Sequence, residues 1–235
     1  MRSRTVWLFD LDNTLHDASA AVYGEINSAM TRYIVDHVGV DAEVASALRV
    51  RYWHRYGATL LGLVRHHGVK ASHFLDDTHR LPGLEARLKL HVPDRHALAR
   101  LPGRKFILTN APRRYAMRVL DTLRLTGCFE GIVTIDEMRM FGQLRPKPDA
   151  RMLCALAARL GARPADCVLV EDTLDHQRSA RRIGMRTAWM QRYLKPRMPA
   201  RADASPCGSA PVRRCPKPPY VCARIFRIRE LLAMG

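Results

Sequence analysis

Short apolar runs that stop at polar residues recur along this chain and restrict the folds open to it. Thr5 to Phe9 runs into Asp10, Lys105 to Leu108 into Thr109-Asn110, Gly131 to Ile135 into Asp136-Glu137, and Cys167 to Val170 into Glu171-Asp172; Arg186 to Met190 is a fifth run. Four or five apolar, β-branched or aromatic residues bounded in this way predict buried strands. Stretches with helical character separate the last four: Arg113 to Leu123, Asp149 to Leu160 and Leu174 to Ile183. Strands alternating with amphipathic helices predict an α/β fold with a parallel sheet.

The first two runs are separated by about ninety-five residues, far more than one crossover helix needs, and nearly all of them read as helix. The expectation is an inserted all-helical domain, with helices over Ala18 to Val38, Ala42 to Tyr56, Thr59 to His67 and Ser72 to Thr78, and an irregular segment near His91 to Leu101. In a chain of 235 residues this gives a core formed by 1–17 and 102–194, carrying a helical cap at 18–101. Residues 195–219 hold seven of the fourteen prolines and six Lys or Arg against one acid, which predicts a loop or disordered linker. Residues 220–235 recover an apolar pattern, read as a last short strand and a helical turn docking on the core.

Composition excludes some classes. At 47% hydrophobic and 26% charged residues, the chain is neither wholly disordered nor collagen-like, and six cysteines without a CxxC pair do not make a disulfide scaffold. The N-terminus lacks the apolar stretch of a signal peptide, and no run reaches the ~18 apolar residues of a membrane span. A cytoplasmic location with no membrane partner is the resulting expectation. The net charge of +17, with 39 Lys and Arg against 22 Asp and Glu, attracts anions without choosing among them. The reading favoured for that charge is a basic surface from an arginine-rich composition, with nucleic acid the less expected partner.

The strand ends carry the chemistry. In open α/β sheets ligands bind beyond the carboxyl ends of the strands, so Asp10, Asp12, Thr109, Asn110, Glu171 and Asp172 point to one site. In Asp10-Leu11-Asp12-Asn13-Thr14, extended backbone would direct both carboxylates the same way. Carboxylates held close repel unless a cation neutralises them, and adding Glu171 and Asp172 makes an oxygen-rich anionic site suited to Mg²⁺. Thr109 ends a strand just before a helix, where its hydroxyl and the following amides can hold phosphate oxygens. Lys147 lies between two prolines in Arg145-Pro146-Lys147-Pro148-Asp149, just before a helix, and is held there.

DLDNT at 10–14, the Thr109-Asn110 strand end, Lys147 within RPKPD, and Glu171-Asp172 resemble, in order and spacing, the four motifs of the haloacid dehalogenase-like hydrolases. The resemblance spans about residues 5–190 and implies a Rossmann-like parallel core of five strands with an all-helical cap inserted after the first strand. It implies Asp10 as nucleophile, forming an aspartyl-phosphate, and Asp12 as general acid and then base. Mg²⁺ would be held by Asp10, the backbone carbonyl of Asp12, Asp172 and Glu171. Thr109, Asn110 and Lys147 would bind the phosphoryl group, and Asp175 stays open as an alternative to Glu171. The second aspartate and the acidic pair favour phosphomonoester hydrolysis over dehalogenation, and the cap lysines, Lys70 and Lys89, lack the context of a Schiff-base lysine.

Substrate choice is expected in the cap. Tyr52 and Tyr56, four apart on a helix, would share a face beside Trp53, either stacking a nucleobase or packing between cap helices. His16 would line the opening or serve as a loop residue. YWHRYGATLLGLVRHHG followed by Phe74-Leu75 is similar to the pyrimidine 5'-nucleotidase branch of the family, implying a nucleoside monophosphate such as UMP or CMP as the small phosphorylated partner of a monomer or homodimer. A sugar-phosphate or phosphoglycolate phosphatase is the runner-up, and a noncatalytic phosphate- or nucleic-acid-binding protein the alternative from another class.

Overall fold

The computed structural model describes residues 5–194 and 216–234. Strand β1 (Val6–Phe9) leads into helices α1 (Ala18–Ala21), α2 (Tyr23–Val38), α3 (Ala42–Tyr56), α4 (Thr59–His67), α5 (Ala71–Thr78), α6 (Leu84–Arg87) and α7 (Val92–Arg100). Then come β2 (Arg104–Leu108), α8 (Arg113–Thr122), β3 (Gly131–Val133), the hairpin β4 (Arg139–Met140) and β5 (Gln143–Leu144), and α9 (Ala150–Arg159). The chain continues through β6 (Cys167–Glu171), α10 (Leu174–Arg182), β7 (Arg186–Met190) and β8 (Ala223–Ile225).

The main sheet has six strands in the order β3-β2-β1-β6-β7-β8, all paired in parallel. The sixth corrects the expected five: β8, from the apolar C-terminal segment, extends the sheet beyond β7. The alternation of β1 sorts two apolar layers. Trp7 and Phe9 pack with Ile107, Val168, Val170 and Met190 on one face, whereas Val6 and Leu8 pack with Phe106, Leu108 and Leu169 on the other. A parallel sheet covered on both faces has continuously apolar central strands, and every residue of β1 and β6 is buried.

Three expected elements differ, and the first is the irregular segment near His91 to Leu101, which is the regular helix α7 with Pro93 in its first turn. The helix expected over Ala18 to Val38 breaks at Val22, where φ is −141° and ψ −26°, and whose side chain is buried in the sheet's core. The strand expected to reach Ile135 stops at Val133, because Thr134 and Glu137 form a capping box that starts a 3-10 turn over Ile135–Glu137. The hairpin β4–β5 has two residues per strand, too few for a periodic signal.

The helical insertion has its own core of Tyr33, Ile34, Ala45, Leu48, Tyr52, Leu60, Leu63, Phe74 and Leu75, joined by Ile135 from the loop after β3. Its two ends belong elsewhere: Ala18, Val22 and Ile26, and later Leu84, Ala97 and Leu98, pack in the cluster that contains Trp7 and Phe9. Helix α3 starts where the Asp41 side chain accepts the Val44 amide (2.8 Å) and ends at Gly57, whose φ of +79° favours a residue without Cβ. Gly62 in α4 serves close approach, since a Cβ there would lie 2.1 Å from Tyr52 Cγ. Gly62→Ala therefore lowers stability by about 1–3 kcal/mol through overpacking, measured as a reduced urea midpoint with an unchanged m-value.

Among the described residues no helix is long and apolar enough to cross a membrane. Cys128, Cys154, Cys167 and Cys222 are free thiols. Cys207 and Cys215 lie outside the described residues, as does most of the expected linker at 195–219.

Candidate active site

At the carboxyl end of β1 the Asp10 amide still donates to Val170 O (2.9 Å) before the chain turns. The turn closes where the Thr14 and Leu15 amides donate to Leu11 O (3.3 and 2.9 Å). Asn13 takes a positive φ of 56°, which asparagine tolerates better than most residues, and its side chain bonds Ser19 through both amide atoms. This rigid turn places Asp10 and Asp12 in different surroundings.

Asp10 is buried. Its Oδ1 lies 2.6 Å from Lys147 Nζ, which is also 2.6 Å from Glu171 Oε2. Lys147 is itself 1% exposed, so one ammonium serves two carboxylates away from water. Asn110 positions it: Nδ2 donates to Lys147 O and Oδ1 accepts the Lys147 amide, both at 2.9 Å. That corrects the expectation for Asn110, whose side-chain amide is committed to backbone. The buried Thr109 presents its hydroxyl at the cleft floor, where it also accepts the Ala111 amide (3.0 Å).

Glu171 is held by three further groups: His176 Nδ1 lies 2.9 Å from Oε2, the Thr173 amide donates to Oε1 (3.1 Å), and Gln177 Nε2 donates to its carbonyl (2.7 Å). Asp172 accepts the Thr173 hydroxyl (3.2 Å), and its carbonyl accepts Trp189 Nε1 (2.7 Å). Oxygens of Asp10, Glu171 and Asp172 lie within 4.8 Å of one another. An all-carboxylate set of this kind fits a hard divalent cation.

The electrostatics give the same reading. Burial, then the Glu171 charge, pushes the Asp10 carboxyl up to about 8; burial, then Glu171 and Asp10, pushes Asp172 up to about 9. Burial works the same way on Glu171, but Lys147 and His176 outweigh it and hold Glu171 well below the usual carboxylate range. Burial disfavours the Lys147 ammonium, yet Asp10 and Glu171 raise its pKa above the ordinary lysine value. One lysine does not neutralise three acids, and a bound cation would.

The sign of the pH effect follows. Between pH 4 and about 8 or 9, metal-free folded protein binds more protons at Asp10 and Asp172 than the unfolded chain does, so these two groups make stability fall as pH rises. A cation binding the ionised carboxylates offsets that fall. Millimolar Mg²⁺ should therefore raise the thermal midpoint more at pH 8 than at pH 5.5, in paired melts with Mg²⁺ and with EDTA; an equal shift at both pH values would contradict this.

Asp12 faces a different set. Its Oδ1 accepts the Tyr115 hydroxyl from α8 (2.6 Å) and lies 2.9 Å from His16 Nε2. Burial would raise this carboxyl, but His16 and Tyr115 outweigh it and lower its pKa. His16 is 2% exposed, which corrects its expected place at the opening: it is buried against Asp12.

Above these groups lies a cleft of about 830 Å³, with Asp10, Asp12, Thr109, Asn110, Lys147, Glu171 and Asp172 at its floor and Trp53 and Tyr56 among the cap residues of its wall. Tyr52 does not share that wall. It is buried in the cap core, where its hydroxyl meets His67 Nε2 (2.8 Å), so the packing alternative holds for it. Asp175 borders the cleft but pairs with Arg178 (2.9 Å), outside the carboxylate cluster. Tyr115 and His176 were not anticipated; no sequence spacing links Tyr115 to Asp12, 103 residues away.

Residues 5–184 match the haloacid dehalogenase-like hydrolases, and the chain belongs to that family. It is 26% identical over 196 residues to Phosphate metabolism protein 8 of Saccharomyces cerevisiae, covering 78% of this chain but only 60% of the yeast protein. It is 25% identical over 201 residues to Phosphoglycolate phosphatase 1 of Pseudomonas aeruginosa, covering 77% of this chain and 67% of that one. The fold resembles a HAD phosphatase from Thermococcus onnurineus (TM-score 0.57, 17% identity, 98% and 97% of the two chains). It also resembles the magnesium-bound HAD-hydrolase YfnB from Bacillus subtilis (TM-score 0.58, 16% identity, 100% and 99%).

Proposed function

We propose that this hydrolase is a Mg²⁺-dependent phosphomonoesterase that works through an aspartyl-phosphate on Asp10 and takes nucleoside 5'-monophosphates, pyrimidine ones foremost. The observation that carries the reading is the division of labour between two carboxylates two residues apart. Asp10 sits against Lys147 and the acidic cluster, whereas Asp12 is turned onto Tyr115 and His16. A nucleophile and an acid–base need such separate settings. Both relatives named above for phosphate chemistry fit this class.

In the mechanism, Asp12 takes up the proton that the phosphomonoester monoanion brings, the Asp10 carboxylate attacks phosphorus, and the P–O ester bond breaks as the leaving oxygen takes that proton from Asp12; Asp12, ionised again, then takes a proton from the water that hydrolyses the acyl phosphate. Lys147 and the Thr109 hydroxyl bind the transferring phosphoryl oxygens where negative charge accumulates. Asp10, Asp172, Glu171 and the Asp12 carbonyl would hold Mg²⁺, which neutralises the crowded carboxylates and the phosphate when bound. Asn110 and His176 position Lys147 and Glu171.

Tyr115→Phe tests the assignment of Asp12. The Tyr115 hydroxyl fixes the Asp12 carboxyl at 2.6 Å, and a leaving-group acid that is no longer held in place should lower kcat on alkyl phosphates by about 10- to 100-fold. With 4-nitrophenyl phosphate, whose leaving group needs no proton, the 4-nitrophenol burst should stay within about threefold. Equal losses on both would remove Asp12 as the leaving-group acid.

The nucleotide preference is supported by the wall of the cleft. An indole that is 55% exposed at Trp53 offers a stacking face, and about 830 Å³ is roomy for a two-carbon acid. Phosphate release from UMP, CMP, AMP, ribose 5-phosphate and phosphoglycolate, with Mg²⁺ and with EDTA, tests this. Mg²⁺-dependent release fastest on UMP or CMP supports it; phosphoglycolate as best substrate keeps the chemistry and rejects the nucleotide.

A further inference from the structure

Helix α3 carries two stripes. Ala45, Leu48 and Tyr52 face the cap core, while Arg49, Trp53 and Tyr56, spaced four and three apart, border the cleft. Such spacing places the latter three along one side of the helix. Trp53 leaves half its surface open at the cleft wall, an unusual cost for the largest apolar side chain.

Arg49 stands one turn before it. Its backbone is pinned by the Thr59 hydroxyl, which donates to Arg49 O (2.9 Å), and its Nη1 donates to Asn27 Oδ1 of α2 (2.9 Å). Its Nε is buried with no hydrogen-bond partner, and among the described residues no carboxylate pairs with it. Most arginines among the described residues are exposed; a guanidinium nitrogen withdrawn from water without an acceptor costs free energy. Its remaining donors form a planar fork suited to acceptor oxygens or ring nitrogens.

We propose that Arg49, backed by Asn27 and flanked by Trp53, is the specificity subsite for the leaving group, reading a carbonyl oxygen on the edge of a nucleobase that stacks along the indole. This rests on the nucleotide reading above. A substrate carboxylate would use the same fork but would leave the indole without a ring to cover.

The test compares wild type, Arg49→Met, which keeps the apolar stem, and Arg49→Lys, which keeps the charge. Readouts are kcat/KM on UMP, CMP, ribose 5-phosphate and phosphoglycolate, and a thermal melt for each variant. Ribose 5-phosphate shares phosphate and sugar with UMP and lacks the base. In Arg49→Met the UMP to ribose 5-phosphate ratio should fall by about 10- to 100-fold, carried mainly by KM, with Arg49→Lys between it and wild type. A wild type that prefers UMP and an Arg49→Met variant that keeps that preference overturn this assignment while leaving the nucleotide reading standing. A loss confined to phosphoglycolate assigns Arg49 to a carboxylate and overturns it too. A wild type indifferent to the base overturns both readings.

Discussion

Asp10→Asn should abolish turnover, lowering kcat by more than about 10⁴-fold as loss of a covalent nucleophile does, while the protein stays folded. The amide keeps the shape of the carboxyl, and its oxygen can still accept from Lys147, 2.6 Å away in the wild type. What it lacks is the charge that burial and Glu171 oppose, seen in a carboxyl pushed up to about 8. Metal-free Asp10→Asn should therefore melt at a higher temperature than wild type at pH 8, with the difference shrinking toward pH 5 as wild-type Asp10 takes up its proton. Such an exchange of stability for activity is common at active sites. Phosphate release and melts at the two pH values check both halves. Residual activity above a hundredth of wild type would move the nucleophile elsewhere, and an Asn variant less stable at pH 8 would mean that the Lys147 ion pair outweighs the crowding.

How much of this was legible in the sequence depends on what each residue touches. Parallel strands advertise themselves because both faces are buried, so Val6 to Phe9 and Cys167 to Val170 read as unbroken apolar runs. The polar residues that stop them then fall at the cleft floor by topology alone, which is why Asp10, Thr109, Glu171 and Asp172 were found. Side-chain direction was not legible to the same degree. Asn110 sits at the right strand end, yet spends its amide on the backbone of Lys147. His16 is four residues from Asp12 and turns inward to it rather than outward. For α3 the spacing that joined Tyr52 to Tyr56 was that of a helix, but the buried stripe runs through Ala45, Leu48 and Tyr52. The partners across the cap core, with Gly62 packed closely against Tyr52, decide which stripe is buried. Tyr115 reaches Asp12 across 103 residues of chain, and no local pattern carries that contact.

Lys147→Met should cost the protein both activity and stability. Methionine fills much of the volume that lysine occupies but leaves Asp10 and Glu171 buried and without the ammonium they share at 2.6 Å. Breaking a buried ion pair by removing one partner costs about 3–5 kcal/mol, and here the single cation serves two anions. The loss should be greatest in EDTA at pH 8, where the carboxyls are pressed to ionise, and smaller in millimolar Mg²⁺, because the cation and the ammonium neutralise the same cluster. Activity should fall by about 10²- to 10³-fold, the usual scale for removing one group that stabilises charge in the transition state, and added Mg²⁺ should not restore it, since a metal cannot replace a donor whose backbone Asn110 fixes beside Asp10. Lys147→Arg should do no better, as a planar fork does not fit where one ammonium is 1% exposed between two oxygens. Urea titrations with Mg²⁺ and with EDTA, beside kcat on the best substrate, separate the two effects. If Mg²⁺ rescued stability and activity alike, Lys147 would be acting only as a counter-charge for folding, and the phosphoryl group would have to find its positive partner elsewhere in the cleft.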